Sequence, residues 1–461
     1  MTYAEAVQFL YGLRLFGAKF GLENTVQLAA LAGNPQEKLR FIHVAGTNGK
    51  GSTCAMLESI YRAAGLRVGL FTSPHLVSFR ERIQVNRQLI SEIGVVRLVE
   101  ELRALCSEFH LPAATGPAKA GTPNAHELHP TFFEFVTVMA LKFFAEQKCD
   151  LVIWETGLGG RLDATNIVTP LASVITNIQL DHQQWLGDTL GKIAAEKAGI
   201  IKPGVPVMTA TDEPEALAVI ARTAREKKAP LIKINPPEGR RAAGPNQNQS
   251  VSPARQPSPI RQLSLLGEHQ HLNAKLALAV VELLQNQIPV PVEKIRAGLQ
   301  TVDWPGRLQL ITRASGRRLL LDGAHNPAGA ETLRRALKEN FSAEQPALVL
   351  GVLQDKDWQH ICEALAPLAA RIFTVPVASE RSADPEKLAE VCRKINPPAG
   401  VLACNSLGEV LNRAADDHFI VITGSLYLVG EALELLGLSP VGNAERGLNE
   451  WTAAPASLFR K

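Results

Sequence analysis

A glycine-rich stretch between a strand-like run and a helix-like run constrains the fold more than any other feature of this sequence. The short apolar run Phe41–Ala45 is followed at once by residues 46–53, which include three glycines. Apolar spacing typical of a helix then extends from about Ser52 to Ala64, and Gly65 stands where helix ends favour glycine. The next apolar run, Val68–Phe71, completes a strand–loop–helix–strand order. This order predicts a βαβ unit in an α/β fold with a parallel sheet.

The same alternation of strand-like and helix-like segments continues along the chain. In the first part we predict strands at 151–154, 172–176, 206–208 and 231–234, and helices at 132–145, 273–285 and 292–299. From residue 308 the alternation starts again, with candidate strands at 318–321, 347–352, 371–375 and 419–423. We therefore predict one α/β domain over residues 1–300 and a second, smaller α/β domain over residues 301–461.

Two segments interrupt this alternation. Residues 111–130 are rich in Ala, Gly and Pro, which predicts a long loop. Residues 236–259 hold six prolines and two glycines in 24 positions, a share typical of low-complexity segments. We expect this second segment to be a surface insertion in the first domain without a catalytic role.

Charge and composition exclude several classes of protein. The 48 Lys and Arg residues exceed the 45 Asp and Glu residues by only three, too few in 461 residues to bind nucleic acid or a membrane surface through bulk charge. The six cysteines form no C-x-x-C pair, and a disulfide framework is not expected in a chain of this length. No apolar run of about 18 residues occurs, and the first residues lack the basic start of a signal peptide. We expect a cytoplasmic protein that acts as a monomer.

The glycine-rich stretch has the chemistry of a phosphate-binding loop. Its glycines let successive backbone amides turn inward, the following helix adds positive charge at its N-terminus, and Lys50 can reach the outer phosphates of a nucleotide. The match to G-x-x-x-x-G-K-[ST] is incomplete, because Val44 replaces the first glycine and Gly51 replaces the hydroxyl that binds magnesium. A glycine-rich turn without a ligand is the alternative, and the strand–loop–helix context argues against it.

Because Gly51 supplies no hydroxyl, a magnesium ion bound with the phosphates needs ligands from elsewhere in the chain. Ser73 follows the run 68–71, Glu155 ends the run 151–154 in the place of a Walker-B acid, and His182 lies beyond the strand ending near Thr176. Taken singly, these residues could be a helix cap, a surface ion-pair partner and a hydrogen-bonded polar side chain. Because open α/β sheets bind ligands at the carboxyl ends of their strands, their shared position predicts a metal site.

Six motifs of the chain, taken together, resemble those of one enzyme family. They are Gly46-Thr-Asn-Gly-Lys-Gly-Ser52, Phe71-Thr-Ser-Pro-His-Leu76, Glu155-Thr-Gly-Leu-Gly-Gly-Arg-Leu-Asp-Ala-Thr-Asn166, Glu196-Lys-Ala-Gly-Ile200, Trp304-Pro-Gly-Arg307 and Asp322-Gly-Ala-His-Asn-Pro327. In this order they resemble the folylpolyglutamate synthases and dihydrofolate synthases of the Mur-ligase superfamily. The resemblance implies a P-loop-containing Mur-ligase-type ATPase domain with a parallel sheet, followed by a Rossmann-like glutamate-ligase domain.

The resemblance also implies roles for individual residues. It assigns contacts with ATP to Gly46, Thr47, Asn48, Gly49, Lys50, Gly51, Ser52, Thr53, Asn273, Arg307 and Asp322. It assigns two magnesium ions to Ser73, Glu155 and His182, and the pteridine pocket to Thr131, Phe133, Glu134 and Asp163. It assigns catalysis to Lys50, Lys197 and His325.

Two of these assignments carry a structural expectation of their own. The resemblance implies that Lys197 is carbamylated, which turns an ammonium into a carboxylate that can hold a cation. Unmodified, Lys197 would form an ordinary helix charge pair with Glu196. The resemblance also implies that Asn273 opens a helix.

The implied reaction joins L-glutamate to a folate or dihydropteroate carboxylate through an acyl phosphate formed from ATP. We expect it in a cleft between the two domains, with closure of the domains assembling the site. Bifunctional members often carry an aspartate where this chain has Lys19, so synthesis of polyglutamate alone stays open. A Mur-type cell-wall ligase and an ATP-binding regulatory protein are further alternatives. The loop sequence argues against the first, and Arg307 and Asp322 argue against the second.

Overall fold

The computed structural model describes residues 1–13, 21–108, 129–234, 263–439 and 445. The predicted insertion at 236–259, most of the predicted loop at 111–130, and Lys19 lie outside the described residues. In the described part of the chain, no helix is both long enough and apolar enough to cross a bilayer.

The first sheet has a parallel centre that brings three strand ends together. Its strands are β1 (Phe41–Ala45), β2 (Val68–Phe71), β3 (Ile83–Val85), β4 (Gln88–Leu89), β5 (Leu151–Glu155), β6 (Ala172–Ile175), β7 (Val207–Thr209) and β8 (Leu231–Lys233). Their order across the sheet is β4-β3-β2-β5-β1-β6-β7-β8. β1 runs parallel to both β5 and β6, pairing Val44 with Glu155 and Ala45 with Ile175. The carboxyl ends of β1, β5 and β6 therefore meet at one edge.

One side of this sheet departs from the predicted parallel arrangement. β3 runs antiparallel to β2, and β4 runs antiparallel to β3. The turn between β3 and β4 contains Asn86 and Arg87, both at positive φ, as a tight hairpin turn requires. The sequence prediction missed these strands because they are two or three residues long and carry no measurable alternation.

Helices cover both faces of the first sheet. They are α1 (Tyr3–Leu13), α2 (Glu23–Leu31), α3 (Lys50–Ala63), α4 (Glu92–Glu108), α5 (Phe132–Glu146), α6 (Gln183–Leu186), α7 (Leu190–Ala198), α8 (Pro214–Glu226), α9 (Glu268–Leu283) and α10 (Val292–Thr301). Successive strand side chains point to opposite faces. Phe41 accordingly packs in the core beneath α1, α2, α4 and α5, whereas Ile42 packs beneath α3, α9 and α10. The rings of Phe71 and Trp154 stack at 4.5 Å in the first of these cores.

The second sheet follows residue 306. Its strands are β9 (Gln309–Thr312), β10 (Arg318–Leu321), β11 (Ala347–Leu350), β12 (Arg371–Thr374), β13 (Gly400–Ala403) and β14 (Phe419–Thr423), in the order β13-β12-β11-β14-β10-β9. Its helices are α11 (Pro327–Asn340), α12 (Trp358–Leu365), α13 (Pro385–Ile395), α14 (Leu407–Arg413) and α15 (Leu426–Leu435). All pairs are parallel except β9 with β10. The predicted α/β alternation is confirmed, while the edge strands β9 and β13 were not predicted.

The loop between β2 and β3, residues 72–82, connects the two halves of the molecule. Val77 of this loop is buried in the core of the second sheet, among residues of β10, β11, β14 and α15, and Leu76 packs against the same core. The two sheets lie on either side of residue 300, and the domain limits of 1–300 and 301–461 stay a prediction. The β2–β3 loop shows that packing between the halves crosses that division.

Candidate active site

A cleft of about 1210 Å³ lies between the carboxyl edge of the first sheet and the second half of the molecule. The phosphate-loop residues border it from the first sheet, and His325, Lys356 and Ser425 border it from the opposite side. All the sequence-predicted site residues except Thr53 border this cleft. Thr53 is fully buried within α3. The structure thus brings together residues that lie far apart in the chain.

The phosphate loop needs glycine at two positions. Gly46 has a φ of 148°, and a Cβ atom at this position would collide with the side-chain hydroxyl of Thr176. Gly49 has a φ of 86°, and its Cβ would lie 2.6 Å from Oδ1 of Asn273. Both backbone conformation and space therefore require glycine. The loop ends directly at the N-terminus of α3, as the sequence predicts.

The segment after β6 holds the phosphate loop in place. The Thr47 amide donates to the Asn177 carbonyl at 2.9 Å, and the Asn48 amide donates to Oδ1 of Asn177 at 2.8 Å. The hydroxyl of Thr176 donates to the Asn48 carbonyl at 2.6 Å. These bonds use strands β1 and β6 as a common support, so the loop is fixed before any ligand binds.

Two lysine ammonium groups converge on the phosphate loop. Nζ of Lys50 donates to the carbonyl oxygens of Gly46 at 3.0 Å and Thr47 at 3.2 Å, and Nζ of Lys197 donates to Gly46 at 2.9 Å. Lys197 is 4% exposed. Burial and the charge of Lys50 lower the pKa of Lys197 to about 7. Two lysine side chains beside the N-terminus of α3 form a site that favours a polyphosphate.

Glu155 lies at the end of β5 beside Ser73. Oε2 of Glu155 accepts a hydrogen bond from the Ser73 amide at 3.1 Å. Burial raises the pKa of Glu155 to about 7, although the charges of Lys50 and Arg307 and the Ser73 amide favour its carboxylate form. A buried carboxylate of this kind gains stability from a nearby cation.

His182, the third predicted metal ligand, has a φ of 50°, a left-handed conformation that is uncommon outside glycine. Its neighbour Asp181 accepts a hydrogen bond from Nζ of Lys356 at 2.7 Å across the cleft. Burial alone would raise the pKa of Asp181, but His182, Lys356 and His325 together hold it below its ordinary value. The pair of Asp181 and Lys356 joins the two sides of the cleft.

His325 and Asn326 face the first sheet from the start of α11. Nδ1 of His325 lies 2.7 Å from the Gly323 carbonyl, which accepts only, so Nδ1 carries the hydrogen. Burial lowers the pKa of His325 to about 4, so its Nε2 carries a lone pair near neutral pH. Asn326 exchanges amide hydrogen bonds with Asn48 of the phosphate loop at 3.1 and 3.4 Å. The histidine is therefore held close to the phosphate loop.

The predicted pteridine-pocket residues border the cleft from the start of α5 and from the loop after β5. Thr131 and Glu134 form a reciprocal capping box at the start of α5, in which the Thr131 amide donates to Glu134 at 2.7 Å. The ring of Phe133 lies against Gly157, where a Cβ atom would have no room. Asp163 accepts hydrogen bonds from the Leu158 and Thr165 amides at 2.7 and 3.0 Å. The capping box fixes the start of α5, and the bonds to Asp163 fix the backbone of the loop after β5.

The prediction that Asn273 opens a helix is wrong. Helix α9 begins at Glu268, and Asn273 lies in its second turn, where Gln270 accepts a hydrogen bond from Asn273 at 3.0 Å. Asn273 still borders the phosphate loop through its contact with Gly49. Asp322 accepts from the amides of Leu308 and Ala324, both at 2.9 Å, and so fixes the turn that carries Arg307. Helix α9 has no capping side chain, so its true start left no signal in the sequence.

Several charged residues of the cleft were missed in the sequence, and three of them are Arg82, Asp181 and Lys356. Asp181 precedes a candidate metal ligand, which was an available signal. Arg82 and Lys356 stand in loops that no local pattern links to the phosphate loop, and only the folded chain brings them together.

A two-sheet α/β chain, with a glycine-rich loop and polar side chains meeting across a cleft, has the architecture of a two-domain, nucleotide-dependent ligase. Comparison with family models gives the same class. The Mur ligase middle domain matches residues 44–281, and the Mur ligase glutamate ligase domain matches residues 306–426.

Close relatives narrow this class to one family. The dihydrofolate synthase/folylpolyglutamate synthase of Bacillus subtilis is 36% identical over 93% of this chain and 98% of its own. The folylpolyglutamate synthase structure from Thermotoga maritima has a TM-score of 0.77 at 34% identity and covers 96% of this chain and 98% of its own. Escherichia coli FolC in complex with DHPP and ADP has a TM-score of 0.76 at 30% identity, covering 95% of this chain and 98% of its own. The chain belongs to the folylpolyglutamate synthase/dihydrofolate synthase family of the Mur ligases.

Proposed function

We propose that this enzyme uses ATP to join L-glutamate to the carboxylate of a folate or of dihydropteroate. In the first stage a carboxylate oxygen of the acceptor attacks the γ-phosphorus, forming an acyl phosphate and releasing ADP. In the second stage the glutamate nitrogen attacks the acyl carbon, forming an amide and releasing phosphate and a proton. The observation that carries this proposal is the meeting of the phosphate loop with His325 and Lys356 in one cleft.

The first stage needs positive charge where the phosphoryl group moves. Lys50 places its ammonium nitrogen 3.0 Å from the Gly46 carbonyl and 3.2 Å from the Thr47 carbonyl, within the phosphate loop. Charge spreads over the phosphoryl oxygens in the transition state, so fixed donors stabilise it more than the ground state. The hydrogen bonds that join Asn48 to Asn177 and to Thr176 hold the phosphate loop in place, so it need not reorganise during the reaction.

Magnesium fits the donor set on the edge formed by β2 and β5. Mg²⁺ in nucleotide sites is held by one or two carboxylates, waters and phosphate oxygens, rather than by a complete protein cage. Glu155 offers a buried carboxylate and Ser73 an adjacent hydroxyl, and the described residues hold no group of three or more His, Cys, Asp or Glu side chains arranged as a cage. We propose that Ser73 and Glu155 serve one ion, and that His182 and carbamylated Lys197 serve a second. When bound, the ions neutralise phosphate charge.

The second stage needs a group that meets the incoming amine. Nε2 of His325 carries a lone pair and borders the cleft, so it can accept a hydrogen bond from the glutamate nitrogen. Arg307, which we propose contacts ATP, also borders the cleft, and cationic side chains on this side suit the carboxylates of glutamate. Both residues lie across from the phosphate loop. We therefore propose that glutamate enters from the side of the second sheet.

Glu155 makes the binding of magnesium dependent on pH. A carboxyl with a pKa of about 7 is roughly one-tenth ionised at pH 6 and nine-tenths at pH 8, and only the ionised form is a good ligand. We expect the affinity for Mg²⁺, titrated calorimetrically with AMPPCP bound, to rise about tenfold over this range. The Glu155→Gln variant, measured at the same pH values, shows how much of the pH dependence of Mg²⁺ affinity comes from the nucleotide alone. An equal pH slope in both proteins would contradict the role of Glu155.

The function is tested by supplying different acceptors. Glutamate-dependent formation of ADP is measured with dihydropteroate, with tetrahydrofolate and with a uridine-linked muramoyl peptide, and the amide product is identified by mass spectrometry. We expect activity with tetrahydrofolate, and activity with dihydropteroate as well would make the enzyme bifunctional. Activity with the muramoyl compound alone would overturn the proposal.

Light scattering of the same preparation tests our proposal that the enzyme is a monomer.

A further inference from the structure

Glu445 is buried against the β2–β3 loop, although it lies more than 350 residues away in the chain. Its Oε2 accepts hydrogen bonds from the amide of Phe79 at 2.7 Å, the hydroxyl of Ser78 at 3.2 Å and the hydroxyl of Tyr3 at 3.0 Å. Its own amide donates to the Val77 carbonyl at 3.0 Å. These hydrogen bonds stabilise the buried carboxylate in this position, because each bond offsets part of the cost of desolvation.

His75 connects this contact to a cationic side chain. Nε of Arg82 can only donate, and it lies 2.9 Å from Nδ1 of His75, so Nδ1 accepts. In the neutral ring Nε2 then carries the hydrogen, and it donates to the carbonyl of Glu445 at 2.9 Å. The hydrogen bonds thus run from Arg82 through His75 to Glu445, with each donor matched to an acceptor.

Arg82 is 3% exposed and borders the cleft. Its guanidinium lies 5.3 Å from the ring centre of Phe132, at the start of α5. Glu155, a proposed magnesium ligand, lies close enough for its charge to act on this guanidinium, and Phe133, a predicted pteridine-pocket residue, follows Phe132 directly. The guanidinium therefore lies near both the proposed metal ligands and the predicted pteridine-pocket residues. The acceptor carboxylate has to lie in this region when it reacts with the γ-phosphate.

The β2–β3 loop is held from both sides. Val77 is buried in the second core, and Glu445 ties the far end of the chain to residues 77–79. Ser73, His75 and Arg82 stand on this same loop. The position of the second half of the molecule is thereby linked mechanically to the position of the Arg82 guanidinium.

We propose that Arg82 binds the acceptor carboxylate and the acyl phosphate formed from it, and that His75 and Glu445 are positioning residues that hold its guanidinium in place. The inference rests on the proposed ligase function. A planar guanidinium pairs well with a carboxylate or a phosphate, and a fixed one needs no reorganisation as negative charge moves from one to the other.

Two replacements of His75 separate positioning from folding. In His75→Asn the amide oxygen stands near the position of Nδ1 and keeps an acceptor for Arg82. In His75→Gln the amide nitrogen stands near the position of Nε2 and keeps the donor to Glu445 but removes that acceptor. We expect His75→Asn to stay within about threefold of wild-type kcat and His75→Gln to fall at least about tenfold, since a misplaced charge loses transition-state stabilisation. The KM for ATP and the unfolding temperature should match in the two variants.

Replacements of Glu445 test the other end of the chain of bonds. Glu445→Gln keeps an oxygen acceptor and should retain most of kcat, whereas Glu445→Ala should lower it about five- to tenfold. Glu226→Ala is the matched control, because Glu226 is an exposed carboxylate on α8 outside the cleft. If His75 and Glu445 act through Arg82, the double variant His75→Gln/Glu445→Ala should be no slower than His75→Gln alone.

The outcomes distinguish this inference from the proposed function. Equal kcat values for His75→Asn and His75→Gln, or multiplying effects in the double variant, would overturn the positioning role in an enzyme that still ligates glutamate. An Arg82→Gln variant with an unchanged KM for the pteridine acceptor and unchanged kcat would remove Arg82 from the site. Wild-type protein that ligates no glutamate would instead refute the proposed function.

Discussion

Replacing Lys50 by alanine should lower kcat by at least about 10²–10³-fold, the usual effect of removing one fixed donor from a developing anionic centre. In the folded chain the Lys50 ammonium contacts the carbonyl oxygens of Gly46 and Thr47, at the bottom of the phosphate loop. It forms no part of the hydrophobic cores, so its removal should leave the unfolding temperature within a few degrees of wild type. The measurement is glutamate-dependent formation of ADP, paired with thermal unfolding.

Lys192→Ala is the control for this experiment. Lys192 is an exposed lysine on α7 whose ammonium pairs with Asp188, and neither residue borders the cleft. It should keep wild-type turnover. Turnover of Lys50→Ala within about threefold of wild type would show that the loop lysine is no part of phosphoryl transfer.

Replacing Lys197 by alanine should also abolish most turnover, by about 10²-fold or more, because it removes the group that we propose, once carbamylated, holds the second magnesium ion beside the phosphates. Our proposal that this lysine is carbamylated makes a sharper prediction. Acetate or another short carboxylate should restore part of the activity to Lys197→Ala, because it would supply the missing carboxylate, and it should not improve Lys50→Ala. Absence of any rescue would argue that Lys197 acts as an ammonium.

The pKa of Lys197 sets the direction of the pH dependence. Carbon dioxide adds to the neutral amine, and a pKa lowered to about 7 leaves most of this lysine neutral above pH 7. The carbamate signal from ¹³C-labelled bicarbonate, read by NMR, should therefore grow from pH 6 to pH 8. Lys202→Ala is a suitable control, since Lys202 follows the same helix but donates to the Asn166 carbonyl outside the cleft. It should keep the signal.

The sequence was most informative where backbone geometry and chemistry coincide. The stretch from Phe41 to Ala64 predicts a strand, a phosphate loop and a helix, and the structure has β1, the loop and α3 at these positions. Gly46 and Gly49 both have a positive φ and no room for a Cβ atom, so the glycine pattern in the sequence follows directly from the structure of the loop. The carboxyl-edge position of Ser73 and Glu155 follows from strand direction alone, and their hydrogen bond agrees with it.

Other parts of the site could not be predicted from local patterns. Strands β3 and β4 are too short for periodicity, and Asn86-Arg87 lacks the glycine that usually marks a hairpin turn. Arg82 carries no signal in the local sequence, yet it is buried, on a loop that enters the opposite core. Asp181 and Lys356 are 175 positions apart in the chain, and local sequence patterns cannot predict a contact over such a separation.

The contact between Glu445 and the start of the chain also bears on how the protein is made. Tyr3, Ser78 and Phe79 precede Glu445 by more than 350 residues, so they are synthesised well before it. Domains fold in the order in which they emerge, so the first sheet can form while its β2–β3 loop still lacks its last partner. A nascent chain stalled before residue 445 should therefore hold a formed nucleotide loop and yet lack this contact, which can form only once synthesis has passed residue 445.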